Sequence, residues 1–544
     1  MKIFILFLPM IFFCLNVRAQ EVHEMTRSRH ARTENTEVAI SQNIRIHPNP
    51  SMQQFETSIS THPSDPNIVL VSAVTQDTTA LMEGTMGWYY TTNGGATWVG
   101  RDTMSTHTNL SHWMDDPTVA IDGSGNLFVG GIYNDDHVFV DRSTDGGSTW
   151  NHVPTYSPPS GYHRPHLTVD TNPGSPYQGQ LSIASTSVLF SRSSNGGQTF
   201  SGPLSISGTI GSWRRLGPRL ATGPNGELYA TWAGYDASSG QPIRLGFNRS
   251  TDGGANWDTP KSIRSFKGVH PTFKNVQLFT APSVAVDPMT GSIYVVYDER
   301  NPTTPDIFLI RSTDGGTTWS DSIKVNQDNS GRDQWMPTIC VDPSTGNIFV
   351  VYYDSRNFSG NDSAQVYVSA STNGGNSFQD ILVSDVPFLP APIRASWDDD
   401  YMTQYIGIAA LDNVVWPCWN DNRTGFHQVY VSRIEFPPVS VAERVDESTP
   451  ASFGLNQNYP NPFNPSTTIE FQVPEVGSRR SEIRRVTLRV YNALGQEVAT
   501  LVNEELRPGS YQATWDASGF PSGTYFYRLQ AGELAETKKL ILLR

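Results

Sequence analysis

An eight-residue motif recurs six times along this 544-residue chain: TTNGGATW (91–98), STDGGSTW (143–150), SSNGGQTF (193–200), STDGGANW (250–257), STDGGTTW (312–319) and STNGGNSF (371–378). Its third residue falls at Asn93, Asp145, Asn195, Asp252, Asp314 and Asn373, in steps of 50 to 62 residues. A unit repeated at this period restricts the chain to a repeat architecture, with propeller blades the leading form. The motif itself reads as a turn. Asp or Asn hydrogen-bonds its own downstream backbone, and the Gly pair supplies positive φ without a Cβ clash. The closing Trp or Phe starts the next strand. Asn stands at three of the six positions, so the motif needs no negative charge and is architecture.

Each motif closes a longer unit. A first strand appears in PTVAID (117–122), PHLTVD (165–170), PRLATG (218–223), PSVAVD (282–287) and PTICVD (337–342). A tight turn and a second strand follow, as in SIYVVYDER (292–300), and a third strand leads into the motif. The alternation of apolar and polar residues fits half-buried strands. ETSIS (56–60) opens the series and YIGIAAL (405–411) closes it without a motif of its own. NIRIH (43–47) can supply the missing outer strand from the N-terminal side. The expectation is an all-β propeller of seven blades, with six as the alternative, over 42–436.

The six-fold motif resembles the Asp-box, or BNR repeat, of sialidase-like β-propellers. Composition agrees: 45 Gly and 37 Pro with only 17% charged residues mean many turns and an all-β chain. The formal charge of −14 argues against nucleic acid, because phosphate binding needs a basic face.

The first 19 residues read as a secretory signal, with Lys2, an apolar run from Ile3 to Leu15, and Ala19 before the cut. Residues 20–41 form an N-terminal leader. No other stretch looks transmembrane. Of three cysteines, Cys14 belongs to the signal, while Cys340 and Cys418 lie in apolar strands of different repeats and read as buried small residues rather than a disulfide.

Composition changes after Phe436. Residues 437–452 read as a linker, and 453–544 as a small Ig-like β-sandwich. YPNPFNP, YNALGQEV, GTYFYRL and the Lys-Lys-apolar ending resemble the type A C-terminal sorting domain of the type IX secretion system. That resemblance implies secretion machinery as a partner, and a protein secreted or attached to the bacterial outer surface.

Strand order separates two faces. One carries the Asp-box and tight turns such as DGSGN (122–126). The other carries long connectors such as SFKGVHPTFKNVQLFTA (265–281). Long loops on a rigid scaffold are where function usually sits. His112, Trp113, Asp115 and Asp116 gather there, with His163, Arg164 and His166, Trp213 and Arg219, and Trp397, Asp398, Tyr401 and Tyr405. Aromatics offer platforms for sugar rings, and acids offer proton donors or metal ligands. Asp298-Glu299-Arg300, Asp354-Ser355-Arg356 and Asp421-Asn422-Arg423 recur at one place in three units. They read either as a ring of Arg for anionic sugars or as Asp–Arg pairs bracing each loop.

The family resemblance implies a Tyr nucleophile activated by Glu, an Asp acid, and Arg residues on the substrate carboxylate. Placement assigns Asp115 or Asp116 as acid, and Glu299 with Tyr401 or Tyr405 as the nucleophile pair. Arg164, Arg219 and Arg300 form the clamp, with Arg356, Trp113 and Trp397 as further substrate contacts. The family's Arg-Ile-Pro motif has only a loose echo in Arg45-Ile46-His47-Pro48. The expected function is exo-acting hydrolysis of anionic glycans. The alternatives are a non-catalytic propeller binding a glycan or surface protein, and a polysaccharide lyase using His112, His163 or His166. No cofactor is expected, with structural Ca²⁺ the alternative; the metal ligands are unknown from sequence.

Overall fold

The computed structural model describes 29–32, 37–46, 52–77, 84–106, 114–134, 137–156, 163–208, 214–270, 272–278, 281–301, 303–393, 401–436, 443–446, 450, 452–474, 484–517, 520–532 and 534–543. The signal segment and most of the N-terminal leader lie outside these residues.

Four-stranded antiparallel sheets dominate. The first runs Met52–His62, Asp65–Asp77, Gly84–Thr91 and Val99–Arg101, each strand pairing with the next. Five more follow the same plan, ending with Gln334–Val341, Ile348–Asp354, Gln365–Ser371 and Gln379–Leu382. The last propeller sheet is built from both ends of the domain. Gly407–Leu411, Val414–Asp421 and Gln428–Val431 supply three strands, and Ile44–Arg45 adds the fourth in the register Ile44↔Val431 and Arg45↔Tyr430. Inner strands of successive sheets pack side by side, and Gly407–Leu411 returns to Met52–His62. The ring is thereby closed. Six four-stranded sheets and this closing sheet, which Arg29–Arg32, Glu37–Ile40 and Ile434–Glu435 extend to seven strands, make up the ring among the described residues.

The Asp-box is a joint between sheets as well as a turn. In the fifth sheet, Asp314 accepts the Thr318 N–H at 2.9 Å and the Ser312 hydroxyl at 2.8 Å. Gly316, at φ 83°, lies so close to the preceding sheet that a Cβ would stand 2.3 Å from Phe247. Trp319 then packs edge-on against the same ring at 5.2 Å. Trp257 meets Phe190 edge-on as well, and Trp150 meets Trp88 at a tilt. Asn373 substitutes for Asp by accepting the Ser377 N–H at 3.1 Å, so the turn needs an oxygen acceptor and no charge. Cys340 is half-buried, Cys418 is buried, and both are free thiols.

The tail forms two four-stranded sheets around Phe463, Trp515, Tyr525 and Tyr527. Asn503 donates to the Thr345 carbonyl at 2.8 Å, which joins the tail to a strand 1–2 turn on the Asp-box end of the propeller. The opposite, loop-rich end is not used by that contact.

Candidate functional site at the head of the inner strands

A repeated kink opens the inner strands. Glu56, Asp116, Arg164, Gly217 and Met336 all take left-handed backbone, with φ between 54° and 66°. Register shifts mark the same positions in four of these strands. In four of the five units the next residue is proline: Pro117, Pro165, Pro218 and Pro337. Positive φ costs a non-Gly residue about 1–3 kcal/mol, so something must hold it. The holder comes from the neighbouring sheet. Glu56 accepts the Asp116 N–H at 3.1 Å, Asp116 accepts the Arg164 N–H at 2.7 Å, and Asp298 accepts the Met336 N–H at 3.0 Å.

The kinks in the first three units carry charge into the ring. Glu56 is fully buried, Asp116 is fully buried, and Arg164 is nearly so. The Tyr401 hydroxyl donates to Glu56 Oε1 in a close contact. His163 Nδ1 lies 3.2 Å from Asp116 Oδ2, and Asp115 Oδ1 accepts the Asp116 N–H at 3.0 Å. The Tyr405 hydroxyl reaches Pro117 O at 3.3 Å. Arg219 stacks on the Tyr405 ring at 5.0 Å, and Arg164 Nε donates to Gln404 Oε1. Burial, followed by the charges of Asp115 and Asp116, pushes the Glu56 carboxyl well above its ordinary range. Burial likewise raises the Tyr405 phenol and lowers Arg219. Such shifts gather where proton chemistry or tight bracing is built.

Ligand atoms of Asp115, Asp116 and His163 lie within 4.8 Å of one another, a spacing that could hold a metal ion. Two carboxylates and an imidazole fall short of the six to eight oxygens that Ca²⁺ takes.

The ring therefore brings together Asp115, Asp116, Arg164, Arg219, Tyr401 and Tyr405. Three other residues sit elsewhere. Glu299 stands 3.9 Å from Arg264 in the outer strand of the preceding sheet, so it does not form the expected pair with Tyr401 or Tyr405. Arg300 lies at the outer end of its strand, where its N–H donates to the Lys267 carbonyl. Arg356 is gripped by Asp354 and Asp380, both at 2.7 Å, and lies over the Tyr367 ring. It braces its own sheet, as Arg423 does with Asp421. Arg45 is in the outer closing strand and donates to Gln428. Trp113 and Trp397 lie outside the described residues, as do His112, Trp213 and Asp398.

Glu56 is the residue that sequence reasoning missed. It occupies the place of the residue before proline in the other units, yet Thr57 follows it. The signal was present in the prolines of PTVAID, PHLTVD, PRLATG and PTICVD: the residue before each one marks a kink facing the ring.

Residues 457–543 match the family model described as secretion system C-terminal sorting domain. The sialidase of Micromonospora viridifaciens is 31% identical over 136 residues, covering 22% of this chain and 20% of the relative. The chain thus spans about a fifth of that relative's length. Among solved structures, the Trypanosoma rangeli sialidase aligns at 11% identity, over 96% of this chain and 88% of the other, with a TM-score of 0.39. The Fusarium graminearum α-L-arabinofuranosidase Arb93A aligns at 14% identity, over 59% and 92%, with a TM-score of 0.39. The fold itself rests on the sheet order. No helix among the described residues is long and apolar enough to cross a membrane. The sorting domain marks the protein for export, to the outer surface or the medium. The chain is a closed ring of β-sheets, a β-propeller similar over 136 residues to a bacterial sialidase, followed by a secretion-system C-terminal sorting domain at 457–543.

Proposed function

We propose that the protein is an exo-acting glycoside hydrolase on anionic glycans, working from the loop-rich end of the propeller. The observation that carries this reading is the Tyr401 hydroxyl donating to Glu56 inside the ring. Sialidase-like hydrolysis departs from the usual two-carboxylate scheme by using a Tyr nucleophile. Tyr401 Oη attacks the anomeric carbon, its proton passes to Glu56, and the bond to the leaving oxygen breaks as Asp115 protonates that oxygen. Water then attacks the same carbon and gives a proton to Asp115. The Tyr401 oxygen leaves and recovers its proton from Glu56.

Asp115 is assigned as acid because it is half-buried, whereas Asp116 is buried and committed to Arg164 N–H and His163. Arg164 and Arg219 supply positive charge for a sugar carboxylate. The match to a bacterial sialidase over 136 residues supports the same class. The test is turnover of aryl α-sialosides and aryl uronides by the full chain. Tyr401→Phe and Glu56→Gln should lower kcat by about 100-fold or more at unchanged melting temperature. Wild-type protein inert toward the whole panel would end the reading.

A second reading, glycan or protein binding without catalysis, is favoured by burial. Glu56 is 0%, Tyr405 6% and Tyr401 8% exposed. Calorimetric binding of an anionic glycan without turnover would select it.

A further inference from the structure

The connector between the fourth and fifth sheets, one of the long loops of the loop-rich end, folds into a hairpin of its own. Thr272–Phe273 pairs with Val276–Gln277 in the register Thr272↔Gln277 and Phe273↔Val276. Lys274 and Asn275 make the turn, at φ 51° and 59°. A two-residue turn with positive φ at both positions favours Asn and Gly. Asn275 suits it, whereas a lysine stays in left-handed backbone only where something holds it.

The lysine is held by its ammonium. Lys274 Nζ lies 2.9 Å from Asp333 Oδ2, with 7% of the lysine side chain and 9% of the aspartate exposed. It also donates to the Asn361 carbonyl and lies 5.1 Å from the centre of the Trp335 ring. Asn361 in turn donates to Asp333 Oδ2 at 2.7 Å and accepts the Asp333 N–H at 3.1 Å. Asp333 and Trp335 open the first strand of the sixth sheet, and Asn361 lies between its second and third strands. The tip of the hairpin thus reaches past the fifth sheet to the sixth.

The returning arm of the hairpin meets Tyr401. Gln277 and Tyr401 form a parallel bridge, and the Tyr401 carbonyl accepts the Ile393 N–H at 2.7 Å. Tyr401 lies in no propeller strand; it precedes Gly407–Leu411. Val276 and Leu278 share one core with Trp335 and with Met402, the next residue after Tyr401. The main chain that presents the Tyr401 hydroxyl to Glu56 is therefore carried in part by the hairpin.

Desolvation offsets much of the attraction within a buried ion pair, so apolar residues could hold such a loop about as firmly. A pair fixed by directional hydrogen bonds admits one register of the hairpin instead, and so one place for Gln277. We propose that Lys274 is a positioning residue: its ion pair with Asp333 sets the hairpin, and the hairpin sets the Tyr401 hydroxyl against Glu56. The catalytic role of Tyr401 rests on the hydrolase reading, whereas the mechanical link from Lys274 to Tyr401 does not.

The test compares the full chain with Lys274→Met, which keeps the stem beside Trp335 and removes the ammonium. Gly316→Ala, at the Asp-box end, is the control for a general loss of stability. Amide hydrogen exchange is followed by mass spectrometry without substrate, and kcat and KM are measured on the glycosides that wild type turns over. Lys274→Met should speed exchange at 272–278 and 401–406 together, by about tenfold or more relative to the propeller strands. It should lower kcat by about tenfold or more and leave KM within about twofold. Gly316→Ala should change neither the relative exchange nor kcat. Unchanged exchange at 401–406, whatever happens at 272–278, would overturn the proposal, since the hairpin would then not carry Tyr401. So would unchanged kcat despite faster exchange at 401–406. Wild type inert toward every glycoside would remove the catalytic role together with the hydrolase reading, and the exchange result would still decide whether Lys274 holds Tyr401. If Lys274→Met does not fold, Asp333→Asn, which keeps the side-chain shape and removes the charge, takes its place with the same expected results.

Discussion

Glu56 accepts the backbone N–H of Asp116 at 3.1 Å, from the head of one inner strand to the head of the next. Asp116 repeats the move toward Arg164 at 2.7 Å. Two left-handed kinks are thus held by carboxylates from the preceding sheet, and the same carboxylates face the ring. Fold and candidate chemistry share these side chains. Substitutions must therefore separate an acceptor oxygen from a titrating carboxyl.

Glu56→Gln keeps an oxygen for the Asp116 N–H, whereas Glu56→Ala removes the acceptor of both the Asp116 N–H and the Tyr401 hydroxyl and leaves the former to Asp115 alone. The alanine variant should lose about 1–3 kcal/mol of stability, and the glutamine variant should melt near wild type. Denaturant unfolding of both variants checks this. Equal losses would mean that the hydrogen bond to Asp116 contributes nothing.

The same carboxyl sets a pH dependence. Burial raises Glu56 in the fold above its ordinary value of 4.5. Above pH 4.5 the unfolded chain releases this proton while the folded chain keeps it, so its contribution to stability falls as pH rises through that window. Turnover through ionised Glu56 should rise with pH across the same range. Glu56→Gln should flatten the stability slope, measured by melting from pH 4 to 8.

His427 works in the opposite sense. Its Nε2 lies 2.8 Å from the Ala391 carbonyl, and burial lowers it from 6.5 to about 4. The unfolded chain gains this proton first, so stability is full above pH 6.5 and is lost as pH falls toward 4, by at most about 3 kcal/mol. His427→Gln should remove this acid-side slope. An unchanged slope would assign it to other groups.

Gly316→Ala tests the Asp-box as a joint. The new Cβ would meet Phe247 at 2.3 Å on a residue already at φ 83°, so a loss of about 2 kcal/mol or more is expected. Turnover per folded molecule should be unchanged, because the box lies at the end away from the ring cluster. A stable but inactive variant would contradict that separation.

Much of this was legible in the sequence, for physical reasons. The Gly-Gly pair at 315–316 can only be a turn with positive φ, and its spacing gave the sheets. Ile44–Arg45 was legible as the closing strand because the last unit lacked an outer one. The site was less so. Asp115, Asp116, Arg164 and Arg219 precede or follow strand-opening prolines, so their place at the loop-rich end could be read. Glu299 and Arg356 lie at that end too, but their charges are met within or between neighbouring sheets. Glu56 was hidden because its partners Asp116 and Tyr401 are 60 and 345 residues away. Local pattern carries no record of such contacts.

The most direct test of the central claim is to trap the covalent intermediate. The full chain would be incubated with a fluorinated, activated sialosyl or uronosyl donor, then digested and mapped by mass spectrometry. A single glycosyl adduct is expected on the peptide containing Tyr401, absent from Tyr401→Phe and formed at least about 100-fold more slowly by Glu56→Gln. Turnover of the parent substrate without any adduct, or an adduct on a different residue, would contradict it.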